Sequence, residues 1–328
     1  MGTSIRQRFR SDQGSIPRRG RASDPVWLHR FALVTAGATF VLILVGGLVT
    51  NTGSGLAVPD WPTTFGHNMF LYPWSNMVGG VFYEHSHRLL GAVVGLLTLA
   101  LALMLWVMEP RRWMRWLGGL ALVAVVAQGV LGGLRVVLLR DTLAMIHGPL
   151  AHAFFALTVS LALFTSGEWS RTPERLAPQD AAHLGRLCLL TTGLLYLQII
   201  FGALLTHIGT HLGAHLASAA LICVLVLVVT VRTLRRRVDL PQLVRPVILL
   251  CGLLVVQLFL GLGAYLGRFT GVPLPLGQFS ALAFPAAHRV NGGLLLVTSL
   301  VLTLRVYRPG IWRRAGGGSA SVAQRVPG

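Results

Sequence analysis

Four histidines are the residues of this sequence best suited to chemistry. They are His87, His147, His215 and His288. Each lies near the start of a long apolar stretch, roughly 10 Å below one membrane face if that stretch is a transmembrane helix. An ionisable side chain at such a depth is costly and is a functional hypothesis by default. Four imidazoles at one depth therefore predict metal ligation rather than four unrelated packing roles.

Haem iron is the metal that this pattern favours. Neutral imidazole is a common haem ligand, and two facing imidazoles can hold one iron from both sides of the macrocycle. The order along the chain pairs His87 with His147 and His215 with His288. We expect each pair to belong to one half of the chain.

Other histidines leave alternatives open. His152 lies five residues after His147, on a different helix face, and could replace it as a ligand. A second set recurs every four residues: His207, His211 and His215. That spacing could indicate zinc, but Gly209 interrupts it and no carboxylate or cysteine lies near.

Charged residues accompany two of the four histidines. Arg88 follows His87 and Arg289 follows His288. Because arginine pairs well with carboxylates, we expect both to contact haem propionates; snorkelling to the interface is the alternative. Glu84 precedes His87 by three residues and shares its helix face. Its carboxylate is predicted to act as an acid/base or cation-stabilising group, or else to pair with Arg88.

Long apolar stretches must position these groups. The 328 residues are 54% hydrophobic and 12% charged, against about 25% charged residues in soluble domains. Roughly 20 apolar residues cross a membrane as a helix. The sequence predicts eight such helices, near 30–50, 82–107, 114–135, 142–166, 184–206, 211–232, 245–268 and 281–306. The predicted fold class is an all-α integral membrane protein.

The predicted helices repeat a two-helix unit. Three helices carry glutamine and glycine four residues apart, at Gln128/Gly132, Gln198/Gly202 and Gln257/Gly261. The first helix has Gly46 at the matching place but Leu42 instead of glutamine. Each is followed by a histidine helix, so the unit occurs four times. We predict two pseudo-symmetric four-helix bundles, in which the glutamine and glycine residues serve helix packing.

Arginine placement predicts the orientation and the boundaries. The formal charge is +18 and there is no lysine. With a cytoplasmic N-terminus, all but five arginines fall on the cytoplasmic side, as the positive-inside bias requires. Both termini are then cytoplasmic, and nucleic-acid binding is disfavoured. The predicted segments are a tail at 1–29, a first half at 30–166, a linker at 167–183, a second half at 184–307 and a tail, expected to be disordered, at 308–328.

Cysteine use and composition bear on redox state and compartment. Cys188, Cys223 and Cys251 all lie inside predicted helices, so disulfide and thiolate-metal roles have no support. The first apolar stretch is too long for a signal peptide and is interpreted as a retained helix. Absence of lysine favours a bacterial plasma membrane over a mitochondrial inner membrane.

Several segments together resemble the haem A synthase family. They are NTGSGLAVPDWPTTFGHNMF at 51–70, EHSHRLLGAVVG at 84–95, IHGPLAHAFFAL at 146–157, HLGAHLASAAL at 211–221 and AAHRVNGGLLL at 286–296. The resemblance spans nearly all eight helices. Its most specific parts are the loop with Pro-Asp-Trp-Pro and the Glu-x-x-His-Arg motif.

The resemblance implies a function. Such enzymes oxidise the C8 methyl group of haem O to a formyl group, giving haem A for terminal oxidases, and they retain haem b as a cofactor. Carried over, His87 and His147 would hold the substrate haem O, and His215 and His288 would hold haem b. Glu84 would assist the oxidation. The implied partners are membrane lipid, haem O synthase and an electron acceptor of unknown identity; a homo-oligomer is compatible with the sequence.

One departure from the family pattern concerns the first outer loop. Many members carry two cysteines there, where this chain has Val58 and Thr64. A disulfide relay to the site is therefore excluded for this chain. A di-haem b electron-transfer protein is the main alternative function, although it does not explain Glu84 or the 51–70 loop. A transporter is a weaker one.

Overall fold

The structure is a computed structural model that describes residues 26–170, 178–238, 240–270 and 272–308. In these ranges the chain is mostly helical. The helices are α1 (Val26–Asn51), α2 (Gly80–Met108), α3 (Arg112–Leu138), α4 (Asp141–Phe164), the short α5 (Gly167–Ser170), α6 (Pro178–His207), α7 (Leu212–Arg235), α8 (Pro241–Phe269) and α9 (Gln278–Val306). The predicted tails fall almost wholly outside the described residues, as do residues 171–177 of the predicted linker.

Eight of these helices are long and apolar enough to cross a membrane, which confirms the predicted spans. Most ends lie within a few residues of the prediction. Helix α8, for example, begins at Pro241 rather than near residue 245. Proline fits the first helical position because its missing N–H is not needed there. The helix therefore starts in a polar segment that hydropathy does not mark.

The long helices pack in two groups of four. In the first group, each of α1 to α4 contacts the next and α4 returns to α1; α6 to α9 close in the same way. The groups meet where α1 and α4 face α6 and α9. Helices α4 and α9 are accordingly the most buried of the eight. In these two, 56% and 61% of the 18-residue apolar segment is buried inside the protein, against 17% to 39% in the other six. The fourth helix of each group thus forms the seam between the halves.

Aliphatic packing is concentrated at one end of each half. In the first half it includes Leu28, Leu101, Leu105, Met114 and Leu161. In the second half it includes Leu184, Val229, Leu243 and Leu302. These residues lie at the starts of α1, α3, α6 and α8 and near the ends of α2, α4, α7 and α9. All four candidate histidines lie toward the opposite ends, which are left for polar groups and a bound molecule.

Candidate functional site

Each candidate histidine faces a glycine on the preceding helix. A Cβ atom placed on Gly46 of α1 would lie 2.9 Å from Cε1 of His87 on α2. The other pairs are Gly132 with His147, Gly202 with His215 and Gly261 with His288. The glycines of the repeat therefore leave room for imidazole rings. This is a more specific role than the helix packing predicted for them.

These glycine contacts also give the histidines a common register. The positions of the histidines along their own helices differ, because His215 lies less than one turn into α7 whereas His288 lies almost three turns into α9. Relative to the glycines of the preceding helices, however, the four histidines occupy equivalent positions. The single membrane depth predicted for them stays a prediction.

The histidines come together in pairs within each half. The His215 and His288 rings have centroids 6.2 Å apart and are tilted by 57°. His87 and His147 lie close enough to interact electrostatically. With a metal–nitrogen bond of about 2 Å to each ring, the separation in the second half leaves room for one metal atom between the imidazoles. The pairing predicted from chain order is therefore the pairing in space.

One nitrogen of each ring points toward the preceding helix. Nδ1 of His288 approaches the backbone carbonyl of Gln257 at 3.3 Å. The other three imidazoles interact with the corresponding carbonyls, at Leu42, Gln128 and Gln198, but their buried Nδ1 atoms lack hydrogen-bond geometry. Nδ1 thus faces the preceding helix in all four repeats, although among the described residues it reaches a backbone carbonyl at hydrogen-bond distance only in His288. Nε2 is the atom left for a ligand. A metal-bound imidazole is commonly oriented in this way through its other nitrogen.

Glutamines of the repeat hold the second pair of histidines. Gln198 donates to the backbone carbonyl of His215 at 3.0 Å and accepts from the Ser218 hydroxyl. Gln257 lies 3.2 Å from Nε2 of His288. The first half has no equivalent restraint in the described residues, since Leu42 replaces one glutamine and the Gln128 side-chain oxygen is buried without a partner. The second pair is therefore the more firmly positioned.

The glycine clearances differ, and this gives a testable prediction. Gly261→Ala places a methyl group 2.9 Å from the His288 ring, whereas Gly202→Ala places one at an ordinary 3.5 Å from His215. Overpacking costs about 1–3 kcal/mol, so Gly261→Ala is expected to weaken haem retention by roughly 5- to 150-fold, measured by haem content after detergent washing. Gly202→Ala should retain haem like the wild type.

The control is Gly252→Ala on the same helix, where an added methyl group meets open space. Equal haem retention in Gly261→Ala and Gly252→Ala would contradict a clearance role for Gly261.

Glu84 is a buried anchor for the long loop between α1 and α2. It is 4% exposed, accepts from the Val58 amide at 2.9 Å and pairs with Arg88 at 2.8 Å. Its neighbour His85 is also buried and contacts the Thr64 hydroxyl at 3.1 Å and the Tyr72 ring. The predicted pairing of Glu84 with Arg88 is therefore present. His85 was missed from the sequence, although its place beside Glu84 in a polar run was the available signal.

Arg88 is committed to the same loop. Its guanidinium donates to the backbone carbonyls of Asp60, Thr63 and Val58, at 2.7 to 3.2 Å, as well as to Glu84. To contact a haem propionate as predicted, Arg88 would have to give up some of these hydrogen bonds. Arg88 therefore fixes the loop to the histidine end of α2, although the sequence analysis predicted that it would contact a haem propionate.

The loop itself is organised around Asp60. This carboxylate accepts from the backbone amides of Phe65 and Gly66 at 2.7 and 2.8 Å. Burial acts to raise the pKa of Asp60, but hydrogen bonds from the Thr63 hydroxyl and the two amides outweigh it and hold the pKa below its usual value. Trp61 next to it packs on Gly133 of α3. The loop thus closes over the first half, whereas the equivalent connection in the second half, between α6 and α7, is only residues 208–211.

Arg289 and His152 lie at the seam between the halves. Arg289 of α9 donates to the Gly47 carbonyl of α1 at 3.2 Å. Buried His152 of α4 bonds its own helix at Gly148 and faces Gly293 of α9. The structure therefore places His147, not His152, opposite the glycine of α3, so the alternative ligand is turned toward the other half.

The zinc alternative is not supported by the helix boundaries. Helix α6 ends at His207, and His211 precedes α7 with a left-handed backbone at φ 71°. The three histidines therefore do not share a helix face. Within the described ranges, no three His, Cys, Asp or Glu side chains are grouped to hold a metal ion.

Comparison with known families decides the classification. Residues 29–214 match the COX15-CtaA family of cytochrome oxidase assembly proteins. This chain belongs to that family. The match includes the long loop, Glu84 and the first histidine pair, and ends one residue before His215. The equivalence of the second pair therefore depends on the glycine contacts described above.

Similar proteins carry the name heme A synthase. The chain is 32% identical over 137 residues to the one from Shouchella clausii (41% of this chain, 44% of the relative). It is 31% identical over 191 residues to that of Exiguobacterium sibiricum (55% and 61%), and 29% identical over 163 residues to that of Bacillus pumilus (48% and 50%). The chain spans about half the length of these curated relatives. Their bacterial origin and the eight apolar helices identify a multi-pass protein of a bacterial plasma membrane.

Proposed function

We propose that this protein is a haem A synthase, which oxidises the C8 methyl group of haem O to a formyl group. The observation that carries the proposal is the pair of imidazoles in each half, with each ring given clearance by a glycine. Two such pairs provide for two haems in one chain. The family match and the names of the relatives supply the type of haem chemistry.

The second half is proposed to hold haem b through His215 and His288. Glutamine contacts fix these histidines in place, which suits a cofactor that stays bound. The side chain of Gln257 would release Nε2 of His288 when iron binds. Haem b, when bound, supplies one-electron transfer.

The first half is proposed to hold the substrate haem O through His87 and His147. Their side chains lack the glutamine contacts found in the second half, which suits a haem that must enter and leave. The loop anchored by Glu84 and Arg88 covers this half and limits access of water. We assign to Glu84 the stabilisation of positive charge that develops at the oxidised carbon, where water supplies the formyl oxygen.

The proposed partners and membrane orientation follow from the same chemistry. Haem O is carried in the membrane, so we expect haem O synthase to be the partner that delivers it. An electron acceptor must remove the electrons that this oxidation releases. We place both termini on the cytoplasmic side and the histidine end toward the outer face.

The test is coexpression with a haem O synthase in a host that makes no haem A. Extracted haems are separated by chromatography and identified by mass. We expect haem A together with a hydroxylated intermediate, and neither when this protein is omitted. Recovery of only haem b and haem O would refute the proposal and favour the di-haem electron carrier.

A further inference from the structure

A cavity of about 420 Å³ lies at the seam between the two halves. Its wall includes Thr50 at the end of α1, Arg135 of α3, His207 of α6 and Arg268 of α8. It is therefore formed by both groups of helices, at the end that carries the histidines. None of the residue roles described so far uses it.

The cavity wall is rich in positive charge. Arg135 donates to the Gly55 carbonyl at 2.9 Å, and its Nε atom is buried without a partner in the described residues. Arg268 donates to the Thr206 carbonyl at 3.2 Å. Both guanidinium groups are thus held by backbone atoms and keep other donors available. Arginine presents such donors in a planar fork that matches carboxylates.

Negative charge at the cavity is weak. Asp141 is the one acid among the described lining residues, and it lies 3.8 Å from Arg135 with a side chain that is 78% exposed. Arg289 lies close enough to interact electrostatically with Arg268 and with His207. The three arginines and Asp141 leave an excess of two positive charges, which is the charge that two carboxylates would balance.

The cavity also begins just beyond the histidine layer. Arg135 follows Gly132 by three residues, and His207 follows Gly202 by five. At 1.5 Å per residue these steps are about 5–8 Å. Arg268 lies seven residues, about 10 Å, beyond Gly261. A haem ligated in either half can thus turn one edge toward the cavity.

We propose that this cavity binds carboxylates, and that these are propionates of the haems held in the two halves. Arg135 and Arg268 are the positioning residues, in the role that the sequence analysis predicted for Arg88. The inference rests on the proposed function in so far as it requires bound haem. The inference goes beyond the proposed function because it assigns the seam cavity as one electrostatic site that both haems share.

The test measures haem redox equilibria in the purified holoprotein with Arg135→Gln and Arg268→Gln. Loss of a nearby positive charge favours ferric iron, so each variant should raise the ferric-to-ferrous ratio at a fixed potential by roughly three- to thirtyfold. The matched control is Arg140→Gln, an exposed arginine at the same end that does not line the cavity. Cavity variants that behave like Arg140→Gln would overturn the proposal.

Two further arms identify the source of the carboxylate or other anion. Titration with inorganic phosphate should leave the wild-type ratio unchanged; a phosphate-dependent shift that Arg268→Gln removes would assign the cavity to a free anion instead. Nanodiscs of phosphatidylglycerol and of phosphatidylcholine should give the same ratio, and a difference lost in Arg268→Gln would assign it to a lipid headgroup. A redox shift without any haem A formation would refute the proposed function alone. Haem A formation without the shift would refute this inference alone.

Discussion

His215→Ala is expected to lose bound haem b almost completely while the protein remains in the membrane. Mutation of a residue that only hydrogen-bonds a metal ligand costs about 10- to 100-fold in metal affinity. Removal of a direct ligand should therefore lower haem affinity by more than about 100-fold. The side chain lies in a half whose aliphatic core is at the other end of the helices, so the bundle should survive. The measurement is haem content by pyridine haemochrome, normalised to protein.

Two variants control this prediction. His211→Asn changes a histidine four residues earlier, at a left-handed position that asparagine tolerates, and should keep haem b. His215→Gly should regain haem when imidazole is added, because the lost ligand is supplied from solution. Full haem b content in His215→Ala, together with its loss in His87→Ala, would reverse the assignment of the halves.

Glu84→Gln is expected to stop haem A formation while haem b stays bound. Glutamine keeps an oxygen that can accept from the Val58 amide, and Arg88 keeps its three loop carbonyls, so the loop should remain docked. The substitution removes the negative charge and the acceptor for Arg88. Loss of one preorganised electrostatic group typically costs about 10²–10³ in rate, and haem A accumulation over time measures it.

The matched control is Glu109→Gln at the other end of the same helix. Glu109 is also buried and pairs with Arg111 at 2.7 Å, so the change removes an equivalent ion pair far from the histidines. It should leave haem A formation close to the wild-type rate. Wild-type rates in Glu84→Gln would show that Glu84 serves only as the anchor of the loop.

The two halves differ in the groups around their histidines. Only the first half carries a buried carboxylate one turn before its histidine, beneath a long folded loop. Among the described residues, only the second half has glutamines bonded to its histidine helices. These departures from the repeat suit the assignment that we propose, with a reacting haem in the first half and a permanently bound haem in the second.

The sequence by itself determined the eight helices, because a membrane requires about 20 apolar residues for each crossing and those runs are visible without any fold. It also determined the candidate ligands, since a histidine inside such a run stands out. The spacing of glutamine and glycine showed that the helices repeat. These features depend on local composition.

Only the tertiary structure decided which side chains meet. A helix that is apolar all round gives little signal for its rotation about its own axis, so nothing in the sequence showed that Gly46 and Gly261 face imidazoles. The folding of the loop decided that Arg88 binds its carbonyls, and the packing of the halves turned His152 toward α9. The arginines of the seam cavity come from helices far apart in the chain, and their common site exists only because the two bundles meet.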